Sequence, residues 1–226
     1  MKTQIDAITN RIQIAATAAG RPPDAIRLVT VSKTVAAERV RMAVDSGITI
    51  LGENYIQEAR EKIEALQDLP VSWHFIGHLQ SNKAKYAVRL FDLIHSVDSV
   101  KLARELDRQA RKHNKIQNVL IQVNTGKEAS KSGVYEEEAL ALVREAGQME
   151  NITVKGLMTL PPFFNAPEKV RPYFHALRVL RDRIHAQSLP GVSMDDLSMG
   201  MTGDFETAIQ EGATLVRIGT AIFGER

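Results

Sequence analysis

Residues 26–51 read IRLVTVSKTVAAERVRMAVDSGITIL, and within them the chain changes period twice. Ile26 to Ser32 is a β-branched run of strand length, Ala36 to Ser46 is amphipathic at helical spacing, and Ile48 to Leu51 is apolar again. The same exchange recurs to the end of the chain. Strand-like runs lie at Val71 to Ile76, Leu93 to Val97, Val119 to Val123, Ile152 to Met158, Asp196 to Met199 and Thr214 to Ile218. Helical stretches lie at Tyr55 to Leu66, Ser99 to His113, Glu136 to Gln148, Pro167 to Gln187 and Phe205 to Glu211. Strict alternation argues for parallel strands, because parallel neighbours need helical crossovers rather than hairpins. About eight such units in this length predict an α/β (β/α)8 TIM barrel, with a doubly wound open sheet as the alternative. Ahead of them Ile5, Ile8, Ile12, Ala15, Ala16 and Ala19 fall on one helical face, and Gly20 and Pro22 end it.

The bulk numbers agree with one core in one domain, residues 1–226. Lys plus Arg is 29 against 27 Asp plus Glu, a formal charge of +2, so no nucleic-acid footprint is expected. The chain has no cysteine, which excludes disulfides, Cys-ligated zinc and thiol catalysis. No apolar stretch is long enough for a signal peptide or a membrane span, so a soluble, cytoplasmic protein is expected. A monomer is expected, with a dimer as the alternative. PPFFNAP at 161–167 carries three prolines and reads as a flap or a connector.

A barrel demands that chemistry gather at the C-terminal strand ends. Lys33, Asn54, Gly77 with His78, Ser96, Asn124, Ser198, and Arg217 with Gly219 and Thr220 all fall there. Alone, Lys33 reads as a solvated strand cap; in a barrel mouth, a desolvated amine can condense with an aldehyde or ketone. The last two strand ends, LSMGMTGDFETAI and VRIGTAIFG, supply small-residue turns of the kind that hold phosphate. Thr202 reads as the cap of the helix that follows it. Arg217, a charge that cannot be removed, needs a partner inside an apolar strand. Amine, phosphate cradle and fixed cation point to pyridoxal phosphate, with its aldehyde on Lys33, its phosphate at Thr202, Gly219 and Thr220, and its ring nitrogen at Arg217. Ser198 and Met199 line the same turn. A Schiff-base aldolase acting on a sugar phosphate would use the same groups.

The chain resembles the pyridoxal phosphate homeostasis protein family, single-domain relatives of the cofactor-binding barrel of alanine racemase. The resemblance runs through VSKT (31–34), LGENYIQEAREK (51–62), WHFIGHLQSNKAK (73–85), IHSVDS (94–99), SKSG (130–133), GLMTLP (156–161) and both C-terminal turns. It implies a fold type III pyridoxal-phosphate barrel, an internal Schiff base on Lys33, Asn54 near the ring, and a role in vitamin B6 homeostasis without strong catalysis. It departs from the family at Thr202, more often serine, and at Gly126-Lys127, more often Ser-Gly; Thr202 keeps the hydroxyl.

An arginine at the pyridine nitrogen disfavours its protonation and weakens the ring as an electron sink. The second acid/base of the related racemases is a tyrosine from a partner's extra domain, which is not expected here; Tyr55 is the one internal substitute to examine. A weak amino-acid racemase or related enzyme is the alternative. Apo forms of pyridoxal-phosphate enzymes are possible recipients of the cofactor. His74 and His78 have i, i+4 spacing, but WHFIGH reads as a strand entering a glycine turn, which separates the imidazoles; no metal site is expected. Glu136, Glu137 and Glu138 read as a helix N-terminus, and Met158, Met199 and Met201 as core or pocket lining.

Overall fold

The computed structural model describes residues 1–224; residues 225 and 226, the end of the expected domain, lie outside the described residues. Eight parallel strands close into a barrel in chain order: β1 (Arg27–Val31), β2 (Ile50–Glu53), β3 (Ser72–Phe75), β4 (Leu93–Val97), β5 (Gln117–Gln122), β6 (Ile152–Met158), β7 (Val192–Ser198) and β8 (Leu215–Ile218). β1 pairs with β8, setting Val29 beside Arg217. The open-sheet alternative is thereby set aside.

Helices cover the outside: α1 (Lys2–Ala18) precedes the barrel, then α2 (Ala37–Asp45), α3 (Ile56–Ala65), α4 (Ala84–Leu90), α5 (Val100–Lys112), α6 (Glu136–Gly147), α7 (Arg171–His185), α8 (Phe205–Gln210) and α9 (Thr220–Phe223). α1 buries Ile5, Ile8, Ile12, Ala15 and Ala16, and it lies against α8 and α9. Arg11 joins it to α8, pairing with Glu206 at 2.5 Å and sitting 4.6 Å from the centre of the Phe205 ring.

Three local readings need correction. α4 is absent from the sequence reading because it has only seven residues and follows a 3-10 turn, too short for a clear period. β7 starts four residues earlier than expected, at Val192, since Ser193 and Asp195 mask the apolar run. The stretch from Pro167 is a 3-10 turn, and α7 begins only at Arg171. The glutamates at 136–138 do open α6, where Glu138 accepts the Tyr135 N–H at 3.3 Å.

Two apolar layers hold the molecule. The larger lies between sheet and helices, with Phe75, Phe91, Phe174 and Phe205 fully buried. The smaller fills the barrel and comprises Val29, Val31, Ile76, Leu93, Leu120, Met158 and Leu215. Strand side chains alternate, so these residues identify the inward row of the strands they stand on or follow. The row is what positions the site.

The 161–167 loop is tied at its first residue and at its middle. Lys131 Nζ donates to the Pro161 carbonyl at 2.8 Å, and Phe164 stacks on Tyr173 with centroids 5.8 Å apart. Gly126 is needed opposite it, because a Cβ there would meet Pro162 Cδ at 2.6 Å.

Candidate functional site

Continued upward, the inward rows converge at the C-terminal mouth. Val29 and Val31 lead to Lys33, Gly52 to Asn54, Leu120 to Gln122, and Leu215 to Arg217. Lys33 is half-buried in the turn that follows β1, and the next residue, Thr34, adopts φ 62°. A non-glycine residue in that region is held there by its surroundings.

The surroundings are an acid–base cluster from β2 and α3. Lys62 is 5% exposed, yet its ammonium is fully engaged: it donates to the Ser32 carbonyl at 2.7 Å, to Glu53 Oε1 at 2.5 Å and to Glu58 Oε1 at 2.9 Å. Ser32 Oγ also donates to Glu53 Oε1, at 2.7 Å, and the Thr34 N–H donates to Glu58. Both neighbours of Lys33 are thus clamped from one side. Burial pushes the Glu53 carboxyl up, against the pull of the Lys62 ammonium, and Glu53 Oε2 has no hydrogen-bond partner among the described residues.

On the opposite side Arg217 is the end of a buried polar chain. Its Nη1 donates to Ser198 Oγ at 2.6 Å and its Nη2 to the Thr159 carbonyl at 2.9 Å. Ser198 Oγ lies 2.9 Å from His95 Nδ1, and His95 Nε2 lies 3.0 Å from His74 Nδ1. Ser198 Oγ accepts from arginine and shares a second hydrogen bond with His95, and the two imidazoles share the next, so one buried chain runs from Arg217 to His74. Burial lowers Arg217 to about 10, with Asp204 opposing, so the guanidinium stays charged at neutral pH. Burial also holds His95 well below its ordinary range and lowers His74 to about 4.

These histidines make the fold acid-sensitive. The unfolded chain takes up a proton near 6.5 while folded His74 resists it until about 4, so stability is present above 6.5 and is lost as pH falls through that window. His74 alone is expected to remove roughly 1.5 kcal/mol between its ordinary pKa and about pH 5, with His95 adding in the same direction. Urea midpoints across this range check it; the slope should shrink in His74→Gln, and a flat wild-type profile contradicts it.

The last two turns meet as expected, with one correction. Thr202 Oγ1 lies 3.2 Å from Thr220 Oγ1, and an open cavity of about 380 Å³ beside them is lined by Val31, Thr34, Gly219 and Thr220. Gly219 passes close to β1, where a Cβ would stand 3.1 Å from the Val31 carbonyl. Thr202 does not cap α8: that helix starts at Phe205, and Asp204 Oδ1 accepts the Met201 N–H at 2.6 Å instead. Ser198 and Met199, expected beside the cofactor, stand at the end of β7. The Ser198 hydroxyl serves Arg217 and His95, while Met199 packs between sheet and helices and its N–H donates to the Leu215 carbonyl.

Asn54 lies at the mouth with Oδ1 buried and unpartnered among the described residues. Asn124 shapes its own loop, donating to the carbonyls of Glu128 and Lys131. His74 and His78 part company: His78 is exposed and meets Ser132 Oγ at 3.0 Å. Tyr55 is 57% exposed. The sequence reading passed over Glu53, Lys62 and His95, although Lys62 stands on the Ala59–Leu66 buried face and His95 two residues after inward-facing Leu93. A charge or imidazole at a core phase was the available signal.

Comparison with known proteins matches residues 3–226 to the family model for the alanine racemase N-terminal domain. The pyridoxal phosphate homeostasis protein of Aquifex aeolicus is 47% identical, covering 99% of this chain and 97% of that one. The chain belongs to the pyridoxal phosphate homeostasis protein family. The Escherichia coli member is 40% identical, with 97% of this chain and 94% of that one covered. PipY of Synechococcus elongatus, solved with pyridoxal phosphate bound, is 36% identical with a TM-score of 0.83, covering 96% of this chain and all of that one. An alanine racemase of Clostridium difficile, 15% identical with a TM-score of 0.74, shares the fold; this chain covers 96% of itself and 55% of that protein. Members of the homeostasis family therefore match this barrel end to end.

Proposed function

We propose that this protein binds pyridoxal phosphate at the barrel mouth, with Lys33 as the covalent anchor of its aldehyde, and acts in vitamin B6 homeostasis as a carrier rather than a catalyst. The observation that carries this is the pairing of β1 with β8, which brings the lysine strand against the strand of a fully buried arginine. The residues fit the group. Thr202, Thr220 and Gly219 offer two hydroxyls and a close backbone for a phosphate, Arg217 keeps its cation buried at the inward row, and Asn54 holds an unused acceptor.

When bound, the cofactor supplies a reactive aldehyde and an electron-withdrawing ring. The protein's own part favours storage. Arg217 keeps positive charge where a ring nitrogen would otherwise take a proton, and Ser198 with Thr159 holds the guanidinium in place. Racemisation would also need a second proton carrier opposite Lys33. Tyr55 and Tyr135 are exposed, and Tyr173 is stacked on Phe164.

The test is an absorption spectrum of protein incubated with pyridoxal phosphate, before and after borohydride. The expected outcome is a Schiff-base band, a reduced adduct mapped to Lys33 and no band in Lys33→Ala. Amino acids in deuterated buffer should show no α-carbon exchange; exchange well above background would identify an enzyme instead.

A further inference from the structure

Two of the longest family motifs, ENYIQEAR and HFIGHLQSNK, are barely used by the cofactor site, yet they meet. Together they line a half-open cleft of about 350 Å³ between the β2–α3 and β3–α4 loops. Its charge is one-sided. Arg60 and Lys83 line it, no carboxylate does, and neither cation has an ion pair or hydrogen bond among the described residues. The Tyr86 phenol reports the same field: it is lowered chiefly by the Lys85 ammonium, with Lys83 and Arg60 adding to it. Ile56 and the rings of Tyr55 and Tyr86 give the cleft an accessible apolar side over buried Phe75 and Leu79, and α3 opens onto it at Tyr55 without a side-chain cap for its N–H groups.

Unpaired cations close to one another repel, and an anion relieves them; aromatic and aliphatic walls add affinity for a flat body. The cleft also adjoins the mouth. Asn54 and His78 line both it and a smaller cavity of about 170 Å³ at the barrel mouth, where Gln122 and Lys131 stand. We infer that the cleft is a second, non-covalent site for a small planar organic anion, the class of phosphorylated pyridines, from which ligand passes to the mouth. The inference rests on reading the mouth as the cofactor site.

The probe is pyridoxine phosphate, which has the ring and phosphate but no aldehyde. Protein whose Lys33 has been blocked by pyridoxal phosphate and borohydride is expected to bind one further equivalent by calorimetry. The Arg60→Ala/Lys83→Ala variant, blocked in the same way, should bind it about tenfold or more weakly. In unblocked protein the same variant should reach the full Schiff-base band, but more slowly than wild type. Absence of binding to blocked wild type, or equal affinity in the variant, overturns the site; equal labelling rates overturn the passage to the mouth. Inorganic phosphate displacing the probe at equal concentration would overturn the planar requirement. If Lys33 takes no label at all, the carrier reading fails, and titration of unreduced Lys33→Ala protein then decides the cleft alone, by whether Arg60→Ala/Lys83→Ala weakens the probe.

Discussion

Replacing Lys62 by methionine is expected to destabilise the fold by about 3–5 kcal/mol, the range for removing one partner of a buried ion pair. The site allows little relief. Glu53 is fully buried, its Oε2 already lacks a partner, and without the ammonium only Ser32 Oγ remains on Oε1. The pH sign follows from Glu53, whose folded pKa already lies above its ordinary 4.5 and rises further when Lys62 is lost. A raised acid favours the fold while it is protonated, so the penalty is small below 4.5 and grows as pH rises toward the folded value. Urea midpoints near pH 5 and pH 8 should diverge more in Lys62→Met than in wild type. Adding Glu53→Gln should recover much of the loss, because no buried charge is then left alone. A loss below about 1 kcal/mol, or one indifferent to pH, would mean that water reaches the cluster.

Gly156→Ala is expected to cost more, about 4 kcal/mol or beyond, and to lower the melting temperature by roughly 10 °C or more in a domain this size. Gly156 lies in β6 where the register with β7 shifts, and its partner is Asp196. A Cβ there would stand 1.8 Å from the Asp196 carbonyl oxygen and 2.6 Å from its carbon, both backbone atoms that cannot swing aside. Relief requires parting β6 from β7, and Asp196 is itself held by Arg27 and by Thr214 Oγ1. The companion measurement is Gly203→Ala, where a Cβ meets nothing within 4 Å. Calorimetry of the two variants should give a large and a near-zero shift; similar shifts would contradict the steric argument.

The barrel was legible because alternation of period is a local property that recurs. Lys33, Arg217 and the two glycine turns were legible as residue types at strand ends. What the sequence hid depends on phase and on contacts across the chain. Ser198 and Met199 are adjacent, but strand alternation sends one into the barrel beside Arg217 and the other into the helix layer. Thr202 has a capping side chain, but α8 begins three residues later with Asp204 as its N-cap, whose carboxylate turns back to the Met201 N–H and leaves the helix without a side-chain cap. Lys62 sits nine residues from Glu53 in sequence, and only the β2-to-α3 turn makes them one cluster.

The seam between β1 and β8 also sets an order of events. Lys33 follows the first strand and Arg217 stands on the last, and their strands become neighbours only when the barrel closes. A chain emerging from the ribosome therefore carries Lys33 without Arg217 nearby until β8 is made and docked. On the function proposed above, capture of the aldehyde at Lys33 requires the finished barrel, so retention of pyridoxal phosphate is expected to report complete folding.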